Sequence, residues 1–577
     1  MVLGVAFLAL SGWYSVVVPV WEAPDEPDHV AYINFVAHYW RLPPTLPTIQ
    51  PSGNPESAQA PLYYFLAALV TGWAQPEGLA EIRLNPYVTW PDHAARVAVV
   101  AHSPVAEGWP PSPGVLVTHF ERVLSTLLGL VTVLFSYGLA RRVVKSPGLS
   151  LLAGGSVAFL PGFVFSSATV NNDAALIALA SAAAFLVIGI GGTAFTVRRL
   201  VLLALVLTLT VGAKVSGLTV VVATGACLLV AGVAKRRVLA VAAPALMTAL
   251  GWGFLRAWDP LVLGRQEWQV VIAATWEDAI NAPGHFWRSI VGVFGWQNLP
   301  LPEVVYVMVA ALVLPGVLLS WSRRPERRNA SQLALWTALV AGGVLVRWLI
   351  SSDPRAFLEH GRYLYPALAP VASLMAMGWA AMPRPAGAAL AGALVGTLGV
   401  TTVIAIPAVI GPAYAYRDEL TRFVVPNEGR DGGQIQARPA AGLELLGFDL
   451  SPPCPSRGDA VRLALRWHAT GSGVPEADTV VLLQPTSGST LKMSERDPGR
   501  NLYPTSVWLP EEVVLDQHEF AIAGNVAPGL YVLRAGIRYE DASTVATGPQ
   551  TETAPLMSID WRGNSGAQCA PIGNESH

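Results

Sequence analysis

Charge is what this chain has least of. Only 13% of its 577 residues are Asp, Glu, Lys or Arg, against about 25% in an ordinary soluble domain. With 53% hydrophobic residues, most of the chain belongs in lipid. The formal net charge of −2 excludes a nucleic-acid protein by bulk electrostatics, since those proteins gather cations against phosphate. The first apolar run has neither a basic leading region nor a small-residue cleavage site, so it reads as a retained anchor rather than a removed signal peptide. Cysteine is scarce as well, three in all. Cys227 lies in an apolar stretch and reads as a small core residue. Cys454 and Cys569 sit near the two ends of a polar C-terminal region. They are either a disulfide closing an extracytoplasmic domain or two unrelated thiols.

What the chain does have is long apolar runs, at about 2–20, 116–140, 149–168, 174–192, 199–213, 216–234, 238–256, 303–321, 332–350, 364–382 and 386–409. These predict about eleven transmembrane helices. Arg141, Arg142 and Lys145, Arg198 and Arg199, Lys235 to Arg237, Arg323 to Arg328, and Arg384 follow alternate runs. All fall on one side if the N-terminus is inside, and cytoplasmic loops carry such an excess of Lys and Arg. The opposite side then receives the 22–115 loop, the 169–173 and 213–216 turns, the 257–302 and 351–363 loops and the tail. The 19 Trp suit interfacial anchoring. Within the first loop, PLYYFLAALVTGWA (61–74) is apolar but too short to cross comfortably, so it is expected to lie along the interface.

From about 435 the pattern changes to short runs such as AVRLALRWHAT and GLYVLRAGIRYED, separated by Gly, Pro, Asp and Ser. Several short strands with turns between them predict an all-β sandwich. The expected organisation is a membrane domain over 1–415, with interfacial helices in its 22–115 loop, and an extracytoplasmic β-sandwich over 435–577.

Chemistry concentrates on the outward side. APDEPDH (23–29) places Asp25, Glu26, Asp28 and His29 directly after the first span. Ionisable groups so close to lipid usually mark chemistry or an ion path. The same boundary receives Asp92 and His93, then Asn171, Asn172 and Asp173, then Lys214, and then Arg355, His360 and Arg362 of DPRAFLEHGRY. Carboxylates beside cations suit a reaction in which an acceptor hydroxyl loses a proton to a carboxylate while Arg or Lys stabilises a departing phosphate. Plainer roles stand beside these. Asn171 to Asp173 would cap a helix, Lys214 would snorkel, and the two arginines would anchor span ends. Asp25, Asp28 and His29 would bind a divalent metal, although their spacing matches no specific metal motif.

The order APDEPDH, then AQAPLYYFLAAL, then HFERVLSTLLGLVTVLFSYGLARRV resembles the N-terminal third of the GT-C membrane glycosyltransferases. It is similar to bacterial relatives of the protein O-mannosyltransferases and of the lipid A aminoarabinose transferase. Asp25-Glu26, Ala60 to Tyr64 and Arg122 stand at the family's motif positions, and NNDAALIALA and HGRYLYPALAP look like family segments. The family usually shows His or Lys before the first Pro of the interfacial helix, where this chain has Gln59-Ala60. The tail resembles a β-sandwich appended to many bacterial enzymes of this type.

The resemblance implies a GT-C-like fold in a bacterial cytoplasmic membrane and a polyprenyl-phosphate-linked sugar donor. Transfer would be extracytoplasmic and inverting, to an acceptor glycan, lipid or protein. No cofactor is expected as a requirement, and a divalent metal stays open. It implies Asp25 as base, with Glu26 and Asp173 supporting acceptor or sugar. His29, Tyr63, Tyr64, Asn172, Lys214, Arg355, His360 and Arg362 are the candidates for binding donor phosphate or substrate. The alternative is a transporter or export component for lipid-linked glycans. A transporter should carry polar groups deep within several spans, whereas these spans are nearly charge-free.

Overall fold

A computed structural model of the chain describes residues 2–43, 55–79, 82–83, 85, 99–190, 195–257, 275–322, 327–349, 360–415, 424–426, 433–440, 442–470, 474–498, 503–509, 512–539, 551–562 and 567–572. They form two compact units. One comprises Met1–Leu79 with Pro113–Tyr414, and the other Ala80–Ser112 with Ala415–His577.

The first unit is helical. Each of the eleven apolar runs is helical over most of its length, the 149–168 run as two helices. Six described helices are long and apolar enough to cross a membrane: Pro113–Val143, Lys235–Leu255, Glu303–Trp321, Arg327–Leu349, Gly361–Ala381 and Arg384–Ala413. A seventh span arises if Pro147–Ala158 and Pro161–Ser167, bent by 63°, are counted together. Val2–Val17, Leu62–Ala74, Asp173–Val187 and Val215–Val230 are apolar but shorter. Proline explains the bend and the early stop. Pro161 lacks the N–H that would continue the preceding helix, and Pro19 follows Val17 closely.

A buried ion pair fixes the first loop to this bundle. Arg122, fully buried in the 113–143 helix, meets Glu26 through Nε to Oε1 at 2.8 Å and Nη2 to Oε2 at 2.6 Å. Its remaining N–H groups donate to the carbonyls of Ser15, Val18 and Pro19 at 2.6–2.9 Å. Those carbonyls end the first helix, where the last C=O groups have no partner within the helix. Glu26 in turn accepts from the Trp21 and Val170 N–H groups at 2.9 and 2.8 Å. One arginine thus closes a helix terminus and orients the acidic loop that follows it.

The second unit is a pair of five-stranded antiparallel sheets. One runs Gln568–Pro571, Thr551–Asp560, Leu530–Tyr539, Ala477–Pro485, Leu491–Arg496. The other runs Val424–Pro426, Glu512–Ala521, Ala460–Ala469, Leu443–Ser451, Gly433–Ala440. Alternation builds the core: Val461, Leu463, Leu465, Trp467 and Ala469 are buried on one face of their strand. A polar network crosses between the sheets. Asp516 accepts from Arg496 Nη2 at 2.7 Å, from Thr479 Oγ1 at 2.5 Å and from His518 Nε2 at 2.6 Å. Cys454 and Cys569 form a disulfide with Cα atoms 5.5 Å apart, linking the end of one sheet to an edge strand of the other. Part of the first loop belongs to this unit. Arg83 Nη1 donates to the Trp508 carbonyl at 3.0 Å, and Ser103 and Tyr503 both donate to Glu512.

Candidate active site

Four chain segments of the helical unit bring their charged ends together. Asp25 lies at the turn between the first helix and Glu26–Tyr39, with φ 65° and ψ 0°. That is the left-handed region, which Asp tolerates better than most residues and which recurs at functional sites. Asp173 is the first residue of the helix Asp173–Val187. Asn171 Oδ1 caps that helix by accepting from the Ala174 N–H at 3.0 Å, leaving the Asp173 side chain to other partners. Lys214 follows the last turn of Val197–Ala213. Arg362 opens the segment Gly361–Ala367.

Gly361 permits that last approach. A Cβ there would stand 2.2 Å from the Ile290 backbone N, and the Gly361 N–H donates to Ser289 Oγ at 2.8 Å. Only glycine lets His360 and Arg362 be carried in against this backbone.

The charges interlock. Arg362 Nη2 donates to Asp25 Oδ2, and Nη1 lies 3.4 Å from the Pro24 carbonyl. Arg362 Nε, 3.5 Å from Asp173 Oδ2, has no hydrogen-bond partner among the described residues. Lys214 Nζ donates to Asp173 Oδ1 at 2.7 Å. The Asp173 and Lys214 side chains are buried, whereas Asp25 keeps 24% of its side-chain surface accessible. Two carboxylates and two cations therefore compensate one another's burial, and Asp25 is the carboxylate left open to an incoming molecule. Burial alone would raise Asp25, but the Arg362 guanidinium, with His29 and His360, outweighs it and holds the carboxyl at about 2.

A second layer surrounds Asp25. His29 Nδ1 lies 2.9 Å from the Tyr64 hydroxyl and 3.6 Å from Glu56 Oε2. The Tyr64 ring stacks on Tyr32 with centroids 3.7 Å apart. Burial, opposed only in part by Asp25, lowers His29 to about 3 and keeps it neutral. Burial together with Asp25 raises Glu56 to about 8, although Lys214 and Arg362 pull it the other way. Asn172 Nδ2 reaches Gln59 Oε1 at 3.5 Å, so the turn at 55–59 closes over this layer. Sequence reasoning missed Glu56, which sits in a Pro- and Ser-containing loop with no periodicity to single it out.

Other sequence-predicted residues stand apart. Glu26 has both oxygens engaged by Arg122 and backbone N–H groups, which makes it a brace and leaves it no free oxygen for acceptor or sugar. Tyr63 is buried with its hydroxyl 2.8 Å from Ser125 Oγ. Asp28 is buried on the helix that carries His29. Arg355, Asp92 and His93 lie outside the described residues. Among the described residues, no group of three His, Cys, Asp or Glu side chains converges so as to hold a metal ion.

Two cavities lie beside this charge cluster. The larger, about 450 Å³, is bounded by Asp173, Ser216, Arg347, Trp348 and Tyr363, with apolar side chains making up much of its wall. The Tyr363 ring has three cations around it: Arg347 at 5.0 Å, Lys214 at 5.3 Å and Arg362 at 5.5 Å from the centroid. The aromatic face helps to hold these like charges near one another. Arg347 is the second residue that sequence reasoning missed. The smaller cavity, about 350 Å³, has Pro24, His360 and Arg362 in its wall.

No family model matches the chain, and no curated protein does. Solved structures similar to it include ArnT from Cupriavidus metallidurans in the apo state, at 14% identity and TM-score 0.38 over 67% of this chain and 60% of that one. This chain therefore spans less than two thirds of that protein. The same ArnT bound to undecaprenyl phosphate is similar at 14% identity and TM-score 0.42, over 73% of this chain and 74% of that one. An oligosaccharyltransferase from Archaeoglobus fulgidus tethered with an acceptor peptide is similar at 12% identity and TM-score 0.35, over 72% of this chain and 55% of that one.

Proposed function

We propose that this chain is a membrane glycosyltransferase of the GT-C type. It moves a sugar from a polyprenyl-phosphate donor to an acceptor hydroxyl, at the extracytoplasmic face of a bacterial cytoplasmic membrane. The observation that carries the reading is the accessible, ionised Asp25 held by Arg362 beside the Asp173–Lys214 pair. The motifs APDEPDH and HGRYLYP supply Asp25 and Arg362, and NNDAALIALA supplies Asp173.

In this reading the donor phosphate binds among Lys214, Arg347 and Arg362, and the apolar side chains Leu176, Val344 and Trp348 of the larger cavity meet the start of its lipid chain, the rest of which lies in the bilayer. Planar guanidinium groups suit phosphate oxygens, and their charge matters most as the leaving group becomes anionic. While paired with Arg362, Asp25 is too weak a base to help an alcohol. A donor phosphate competes for that same guanidinium and so returns basicity to Asp25 as the substrate arrives. Asp25 then takes the acceptor hydroxyl proton, and the acceptor oxygen bonds to the anomeric carbon. The bond from that carbon to the phosphate oxygen breaks, and its electron pair leaves with the polyprenyl phosphate. One in-line displacement inverts the anomeric configuration. Asp173 keeps Lys214 in place, and His29 with Tyr64 and Glu56 walls the side of Asp25.

The test is to incubate the purified protein in nanodiscs with a panel of radiolabelled polyprenyl-phosphate sugars and candidate acceptors. Inverted glycoside formed at the expense of one labelled donor supports the reading. Binding of the panel without release of polyprenyl phosphate overturns it.

A further inference from the structure

The smaller cavity is the feature that donor chemistry does not use. Its polar wall consists of Ser166, Thr169, Ser289, Gln297, His360 and Arg362, with Phe165 and Tyr365 contributing aromatic surface. Among the described residues no carboxylate lines it, and the one cation that does already faces Asp25. The wall is therefore rich in neutral groups able both to donate and to accept hydrogen bonds.

One of these groups has no partner. His360 is only 8% exposed, and its Nδ1 is buried without a hydrogen-bond partner among the described residues. Buried polar atoms are seldom left so, because desolvation is then uncompensated. Its backbone and its ring are both held. Gly361 N–H is anchored on Ser289 Oγ, and the Tyr363 ring lies against His360 with centroids 5.7 Å apart. Burial, then the Arg362 charge, lowers His360 to about 3, so the ring meets a ligand neutral, one nitrogen donating and the other accepting.

We infer that this cavity is the acceptor pocket, that it takes the ring of a neutral carbohydrate, and that His360 Nδ1 forms the hydrogen bond that seats it. The matched donors and acceptors fit a hydroxylated ring. Phe165 and Tyr365 offer apolar faces for its C–H groups. The wall closes around a small space that admits one compact ring more readily than an extended peptide. Pro24 and Arg362 in the wall place such a ring next to Asp25. Calling the occupant an acceptor rests on the transferase reading; the carbohydrate site itself does not.

The experiment measures binding, so it does not depend on turnover. Full-length protein in nanodiscs is titrated with methyl hexopyranosides by saturation-transfer NMR, and separately with undecaprenyl phosphate. Wild type, His360→Leu and His360→Gln are compared, with melting temperature recorded for each. The expected result is glycoside affinity falling about tenfold in His360→Leu, the loss of one buried hydrogen bond. Affinity should be largely restored in His360→Gln, with undecaprenyl phosphate affinity unchanged throughout. The inference is overturned if no glycoside binds wild type, if His360→Leu binds glycoside as wild type does, or if His360→Gln restores nothing. Glycoside binding with the expected variant pattern but no undecaprenyl phosphate binding would uphold the carbohydrate pocket and count against the lipid-phosphate reading.

Discussion

Arg362 and Asp25 are paired although 337 residues separate them in the chain. The guanidinium that neutralises Asp25 also lines the smaller cavity and lies against Asp173 and Tyr363, which line the larger one. An arginine in that position can serve either a carboxylate or a phosphate.

Exchanging that guanidinium for an ammonium separates the two services. Lys keeps the charge near Asp25 but loses the fork that grips phosphate oxygens. Arg362→Lys should raise the donor KM on the order of tenfold with little change in melting temperature, and Arg362→Ala should be worse. Donor KM and melting temperature measured together check this. A wild-type donor KM in both variants would move the phosphate site to Lys214 and Arg347.

Arg122 and Glu26 should answer to stability instead. Both side chains are fully buried, so Arg122→Met strands a carboxylate and should cost about 3–5 kcal/mol. The double variant with Glu26→Gln should recover part of that loss. Thermal unfolding in detergent is the measurement. Equal melting temperatures for wild type and Arg122→Met would remove the brace.

Glu56 gives a pH dependence with a definite sign. Its folded value is raised from 4.5 to about 8, so the folded state holds a proton that the unfolded chain releases. Its contribution to stability is complete below pH 4.5 and is lost as the pH rises through about 8. Asp25, lowered from 3.8 to about 2, acts below that window, whereas His29 and His360, lowered from 6.5 to about 3, add stability as the pH rises to 6.5, equally in wild type and variant, so the comparison isolates Glu56. Melting temperature followed across the window should fall more in wild type than in Glu56→Gln. Identical slopes would mean that Glu56 is ionised throughout.

Much of this arrangement could be read from the sequence, because membrane segments announce themselves by length and lack of charge. Asp25, Asp173, Lys214 and Arg362 were legible for the same reason: each is an ionisable residue at the end of an apolar run. Residue type alone does not separate Asp25 from Glu26; the resemblance made Asp25 the base but gave Glu26 a substrate role, and only the fold shows Arg122 engaging Glu26 as a brace. Arg347, in the last turn of Arg327–Leu349, looked like any arginine ending a span. Five strands were visible as alternating runs, whereas Val424–Pro426 and Gln568–Pro571 are too short to show a period. That residues 80–112 join the β-sheet unit depends on long-range contacts such as Arg83 to Trp508, which no local pattern encodes.

The most direct measurement is sugar transfer from a radiolabelled polyprenyl-phosphate donor by wild type and by Asp25→Asn, with donor binding recorded in parallel. Asparagine keeps the size and polarity of the side chain but cannot take a proton. The account predicts turnover lower by about 10²-fold or more, with donor affinity retained. Turnover near wild type in Asp25→Asn would contradict it.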